Sequence, residues 1–233
     1  MAGVQVGALG DIHGDFETVR RIQRRHPPIE VWLCVGDVAN GEGRYEPFPV
    51  PVHFIKGNNE GFDAIADGTL PANVHFLANA VRSVIGGLQV AGLGGTFAPT
   101  WYETAPDALP HPKKGTAQAT EQADKRRHFV RAEVEACASM SGIDIFMTHE
   151  AARPYVVGGA AGRRGNDAGK TPVNEVLKVM KPRLHLFGHH HRFTEQVRQG
   201  VTSLGLDLVS RSYLLLETAT LAWHLRTEAE GDD

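Results

Sequence analysis

Residues 4–13 read VQVGALGDIH, a run of small and apolar side chains that ends on a carboxylate and an imidazole two positions apart. A short apolar run of this kind reads as a buried strand, and the polar pair falls where the strand leaves its sheet. The pattern recurs four times. EVWLCV (30–35) runs into Gly36-Asp37, and PVHFI (51–55) runs into Gly57-Asn58-Asn59-Glu60. IDIFM (143–147) runs into Thr148-His149-Glu150, and LHLF (184–187) into Gly188-His189-His190-His191. Open α/β sheets gather their ligands at such strand ends.

The sequence between these phrases fills in the frame. Residues 15–25 predict a helix stopped by Pro27-Pro28, and a short helix is expected from about Glu60 to Ala66. Val81–Ile85 and Leu88–Leu93 predict a hairpin turned by Gly86-Gly87, with a loop over 95–116. The longest helix is expected at 117–139, supported by Glu121/Lys125 and Arg131/Glu135 pairs. Thr171-Pro172 opens a helix to about Met180, with Thr as N-cap and Pro in the first helical position. The remainder, to Arg226, alternates like antiparallel strands. Strands and helices alternate early and strands dominate late. That predicts an α/β (α+β) fold of two packed sheets flanked by helices, with one domain over 1–227 and an acidic tail at 228–233.

Composition narrows the classes. The 233 residues are 42% hydrophobic and 22% charged, which suits a soluble globular domain. A net charge of −3 excludes a chain that binds nucleic acid through overall basicity. The start, MAGVQVGALGD, lacks the basic and apolar regions of a signal peptide, and no apolar run has the length of a membrane span. The two cysteines, Cys34 and Cys137, read as buried free thiols. A cytoplasmic protein with no membrane partner is expected.

The five phrases supply seven candidate metal ligands: Asp11, His13, Asp37, Asn58, His149, His189 and His191. In an extended strand exit, Asp11 and His13 face the same way, as do His189 and His191. Gly36 permits a sharp turn that lets Asp37 bridge two ions. Carboxylate, amide and imidazole donors suit Mn, with Fe or Zn as alternatives. Two divalent ions about 3.5–4 Å apart need roughly this set.

The ordered motifs DxH, GD, GN, H and GHxH resemble the calcineurin-like metallophosphoesterase superfamily across residues 11 to 191. The resemblance implies a four-layer αββα sandwich. It places Asp11, His13, Asp37 and His191 on one metal, and Asp37, Asn58, His149 and His189 on the other. It implies a phosphoester substrate, attacked by a hydroxide that the two metals generate from a bridging water. One position departs from the family pattern. Asn59 stands where the family has a histidine that contacts phosphate and protonates the leaving group. An amide donates a hydrogen bond but supplies no proton at neutral pH. Asp37 and Asn59 are therefore the candidate catalytic residues.

Three readings of Asn59 stay open: a leaving group that needs little help, another proton donor such as His190 or a metal-bound water, or slow turnover. His190 is expected to point away from the ligands. Glu60 and Glu150 are expected at helix starts or orienting histidines. Residues 162–171, GRRGNDAGKT, resemble a phosphate-binding P-loop but carry Arg164 where that motif needs Gly. Arg163, Arg164 and Lys170 remain candidates to clamp a phosphate or nucleotide, against solvated charges on a loop. Phosphodiester hydrolysis with a nucleotide-like substrate is the favoured function. A monoester phosphatase acting on a metabolite or protein, and a weakly catalytic metal-binding scaffold, are the alternatives.

Overall fold

The computed structural model describes residues 5–113, 116, 123–157 and 165–228. β1 (Gln5–Leu9) leads into α1 (Phe16–Arg25), β2 (Trp32–Cys34), β3 (Val52–Phe54), α2 (Phe62–Ala66) and β4 (Val74–Phe76). The hairpin β5 (Ser83–Ile85) and β6 (Leu88–Leu93) follows, and then β7 (Thr96–Phe97). Next come β8 (His128–Phe129), α3 (Arg131–Ala138), β9 (Ile145–Thr148), β10 (Val156–Val157) and β11 (Asn166–Asp167). The chain closes with α4 (Thr171–Met180), β12 (Leu184–Phe187), β13 (Thr194–Arg198), β14 (Val201–Gly205), β15 (Ser212–Glu217) and β16 (Trp223–Thr227).

Two six-stranded mixed sheets form, ordered β16-β15-β1-β2-β3-β4 and β13-β14-β12-β9-β6-β5. In the first, β1 to β4 run parallel and β15 joins β1 antiparallel. In the second, β6, β9, β12 and β14 run parallel, with antiparallel edges at β5 and β13. Alternation along each strand divides its side chains between two cores. Val6, Ala8, Leu33 and Ile55 pack between the sheets against Val90, Ile145, Met147 and Leu186. Trp32, Cys34 and Phe54 face outward onto Phe16, Val19 and Ile22 of α1. On the far side, Leu93 and Phe146 pack against α3 and α4 through Val134, Cys137, Val173 and Leu177. Each such aliphatic side chain contributes about 1.5–3 kcal/mol on burial. The result is the expected four-layer αββα sandwich.

Local chemistry explains most element ends. The Asp15 carboxylate accepts the Thr18 amide at 3.3 Å and caps α1. The arginines of α1 find surface partners: Arg20 with Glu46, Arg24 with Glu17, and Arg21 and Arg25 with Glu228. Glu228 opens the segment read as a tail, yet its side chain is 9% exposed and holds both arginines. Residues 229–233 lie outside the described residues. Cys34 and Cys137 are free and buried. Among the described residues no helix is long and apolar enough to cross a membrane.

The long helix expected at 117–139 is a correction. Residues 117–122, with Glu121, lie outside the described residues, and α3 begins only at Arg131. Before it come a 3-10 turn over Lys125–Arg127 and β8, which pairs in parallel with β7 inside the segment read as loop. Two interactions override helix propensity here. Asp124 accepts the Arg126 amide at 3.0 Å, and the Lys56 ammonium donates to the carbonyls of Arg126 and His128 at 2.9 and 2.8 Å. Arg131 then pairs with Glu103, not with Glu135. A smaller shift occurs at α4, where Lys170 takes the cap position and Thr171 is already helical.

Candidate metal centre

All five phrases deliver their polar residues to one place, because β1, β2, β3, β9 and β12 are parallel within their sheets and end at the same edge of the sandwich. The backbone there is not extended. His13, Asp37, His189 and His191 have φ of 48°, 53°, 68° and 48°. The extended exits expected for Asp11/His13 and His189/His191 are therefore corrected to left-handed turns. Such values cost about 1–3 kcal/mol per non-glycine residue and persist where surrounding structure imposes them. Two glycines make the approach possible. Gly36 has φ +107°, and a Cβ there would stand 2.8 Å from Gly57 Cα and His149 Nδ1. A Cβ on Gly57 would collide with the Asp37 carboxylate.

The donor atoms converge. His191 Nε2 lies 2.9 Å from Asp11 Oδ2 and 3.1 Å from His13 Nε2. Asp37 Oδ2 lies 3.6 Å from both His13 Nε2 and His149 Nε2. His149 Nε2 is 3.1 Å from Asn58 Oδ1. The His189 ring lies 4.9 Å from that of His149, and its backbone amide donates to Asp11 at 3.0 Å. Two overlapping groups, Asp11-His13-His191 and Asp11-Asp37-His149, each bring their ligand atoms within 4.8 Å of one another. Five of the seven predicted ligands fall in these groups, and Asn58 and His189 adjoin them through His149.

The surroundings fix their orientation. His149 Nδ1 lies 2.9 Å from the Val35 carbonyl, which accepts only, so Nε2 faces the site. Burial disfavours charge on His149, but Asp37 and Asp11 outweigh it and raise its pKa. A hydrogen bond to Asp11 raises His191 likewise. Burial and then His149 push His189 down to about 3, so it is a neutral imidazole at neutral pH. Two buried carboxylates that pull positive charge toward them, ringed by imidazoles and an amide oxygen, form a donor set that fits a pair of divalent cations.

The remaining predicted residues fall into place unevenly. Asn59 donates its amide N–H to Asp37 Oδ1 at 2.7 Å and its side-chain Nδ2 to Asp37 Oδ2 at 3.1 Å. His190 stacks on Tyr155 at 4.3 Å, but its ring also lies 5.1 Å from that of His189, which corrects the expectation that it points away from the ligands. Glu60 and Glu150 orient backbone and not histidines, which corrects that expectation. Glu60 is buried and accepts from Gly57 N, Val38 N and Tyr45 Oη at 3.1, 3.2 and 2.8 Å. Glu150 accepts from Phe97 N and pairs with Lys170 at 3.3 Å. The Lys170 ammonium is therefore committed to a buried carboxylate, and Arg163 and Arg164 lie outside the described residues. Sequence reasoning missed a cleft of about 570 Å³ that opens beside His13 and Asn59 and is walled by Phe62, Asp63, Asp124 and Arg126. Only the turn residues at 40–43 and 61 hinted at it; the charged wall residues sit in no motif.

The family model of calcineurin-like phosphoesterases matches residues 4–193, most of the chain. The chain belongs to the calcineurin-like phosphoesterase family. The chain is 24% identical over 209 residues to the lariat debranching enzyme of Schizosaccharomyces pombe, a match covering 80% of this chain and 43% of that enzyme. It therefore spans less than half of that relative's length. The protein TT1561 of Thermus thermophilus shares its fold with a TM-score of 0.59 at 14% identity, over 97% of this chain and 99% of that one. A dimetal phosphatase from Danio rerio does so with a TM-score of 0.52 at 12% identity and the same coverage. At such identities the likeness is one of fold.

Proposed function

We propose that this phosphoesterase is a metal-dependent phosphodiesterase. One observation carries the reading: Asp37 Oδ2 stands equidistant, at 3.6 Å, from the imidazoles of His13 and His149, where one carboxylate would serve two cations. Asp11, His13, Asp37 and His191 would hold one ion, and Asp37, Asn58, His149 and His189 the other, with Mn the favoured metal. When bound, the two ions supply Lewis acidity and a water of near-neutral pKa as nucleophile.

The protein's own part is positional. Asn59 holds the Asp37 carboxylate in place through both its amides, and the second N–H of its Nδ2 would remain for a phosphate oxygen. It gives no proton, and burial holds His190 down at about 4, so that ring is no acid at neutral pH. A substrate whose leaving group departs without a protein acid suits this site, which favours a diester with a good leaving group. A nucleotide-like diester draws support from the likeness to a lariat debranching enzyme. Two buried free thiols suit a reducing compartment, and on that ground we place the protein in the cytoplasm.

The test is hydrolysis of bis-p-nitrophenyl phosphate with added Mn²⁺. Turnover that EDTA and Asp37→Ala both abolish supports the reading. Two bound metals with no turnover would reject it in favour of a metal-binding scaffold.

A further inference from the structure

The cleft beside the metal centre has its own chemistry. Its volume of about 570 Å³ lies in the range of small-molecule sites. Among the described residues the wall carries one guanidinium, and that cation is already engaged. Arg126 Nη2 lies 2.6 Å from both Asp63 Oδ1 and Asp124 Oδ2, and its Nε lies 3.0 Å from Asp124 Oδ1. The guanidinium also sits 5.7 Å over the Phe62 ring. Two carboxylates thus face one cation, and Glu42 on the opposite lip adds a third negative charge whose partner is the exposed Arg44. Among the described residues three carboxylates, Asp63, Asp124 and Glu42, thus stand against two cations, Arg126 and Arg44.

The walls are built, not incidental. Lys56 is partly buried and ties the backbone of Arg126 and His128 to the segment that carries Asn58. On the other lip, Asn40 Oδ1 accepts the amides of Glu42 and Arg44, each at 3.0 Å, and fixes that loop.

We propose that this cleft is the subsite for the non-phosphate half of the ester, taking a neutral alcohol of nucleoside size rich in hydroxyl or amino donors and rejecting a group that bears a further phosphate. The proposal rests on the phosphodiesterase reading above and names its substrate class.

The experiment compares kcat/KM of the metal-loaded protein on two substrates with the same leaving group: thymidine 5′-(p-nitrophenyl phosphate) and its 3′-phosphorylated form. Bis-p-nitrophenyl phosphate serves as the reference. The neutral nucleoside is expected to be preferred by about tenfold, the scale of a doubly charged group facing a partly exposed carboxylate. Asp63→Asn with Asp124→Asn frees Arg126 and should narrow that ratio to about threefold or less. Asp63→Asn alone should move it part of the way, which covers the case of a double variant that misfolds. Equal or better use of the phosphorylated substrate, by a protein that hydrolyses the reference, overturns the subsite and leaves the diesterase standing. A ratio that does not move in a folded variant also overturns it. Loss of all turnover, reference included, rejects the diesterase reading and the subsite with it.

Discussion

The metal centre and the cleft wall lie side by side but are made differently. The centre is assembled from strand ends, with Asp11, Asp37 and His149 buried and four of its residues in left-handed backbone. The wall is assembled from partly exposed side chains far apart in sequence, Asp63 with Arg126 and Asp124, and from the carbonyls that Lys56 grips. At the centre the backbone is strained to bring ligand atoms together. At the wall ordinary backbone is held by charge pairs. The contrast predicts that damage at the centre removes chemistry, whereas damage at the wall changes preference and leaves metals bound.

The largest effect is expected at Gly57. A methyl group there meets the Asp37 carboxylate, so Gly57→Ala should lose more than about 100-fold in metal-dependent kcat/KM, beyond what disturbing a supporting residue usually costs. Near-normal activity would show that the close approach of these two loops is not required. The next effect sharpens the reading of Asn59. Asn59→His should raise the rate by about 100-fold for diesters with alkoxide leaving groups and far less for p-nitrophenolate. A plot of rate against leaving-group pKa for the two proteins measures it, and parallel slopes would count against the missing-acid explanation.

Lys56→Met should separate the two regions. Two carbonyls lose their donor, at about 1–3 kcal/mol of stability by urea unfolding, while metal content stays near that of the unaltered protein. Metal loss in a folded variant would merge the regions the contrast keeps apart. The smallest effect concerns pH. His185 is buried between Thr148 and Ser203, and burial pushes its pKa down to about 3. Its folded pKa lies below the unfolded value of about 6.5, so the unfolded chain binds the extra proton. Stability is then full above about pH 6.5 and falls as pH drops, by about 1 kcal/mol between pH 6.5 and 5.5 for this group. Urea midpoints over that range should fall with acid, and less steeply in His185→Gln.

The same contrast sets what the sequence could tell. Each candidate ligand follows one of five apolar strands within a few residues, so the αββα frame and all seven candidates were legible from local pattern. The backbone turns at His13 and His191 were not, because an i, i+2 pair looks the same whether extended or left-handed. The helix expected over 117–139 failed at Lys125–Arg127 because its i,i+4 charges are overridden by Lys56, some 70 residues earlier. Glu60 and Glu150 were seen as supports, but their partners, the Gly57 and Phe97 amides, are set by tertiary contact. The charged wall of the cleft sits in no motif, and only the fold brings Asp63 within reach of Asp124 and Arg126.

The most direct test of the central claim is a metal count on the purified chain after Mn²⁺ loading and gel filtration, by elemental analysis against protein concentration. Two ions per chain, falling to one or none in Asp37→Ala, is the predicted result. A single ion in the unaltered protein, or two that persist without the Asp37 carboxylate, would contradict a dinuclear centre bridged at that residue.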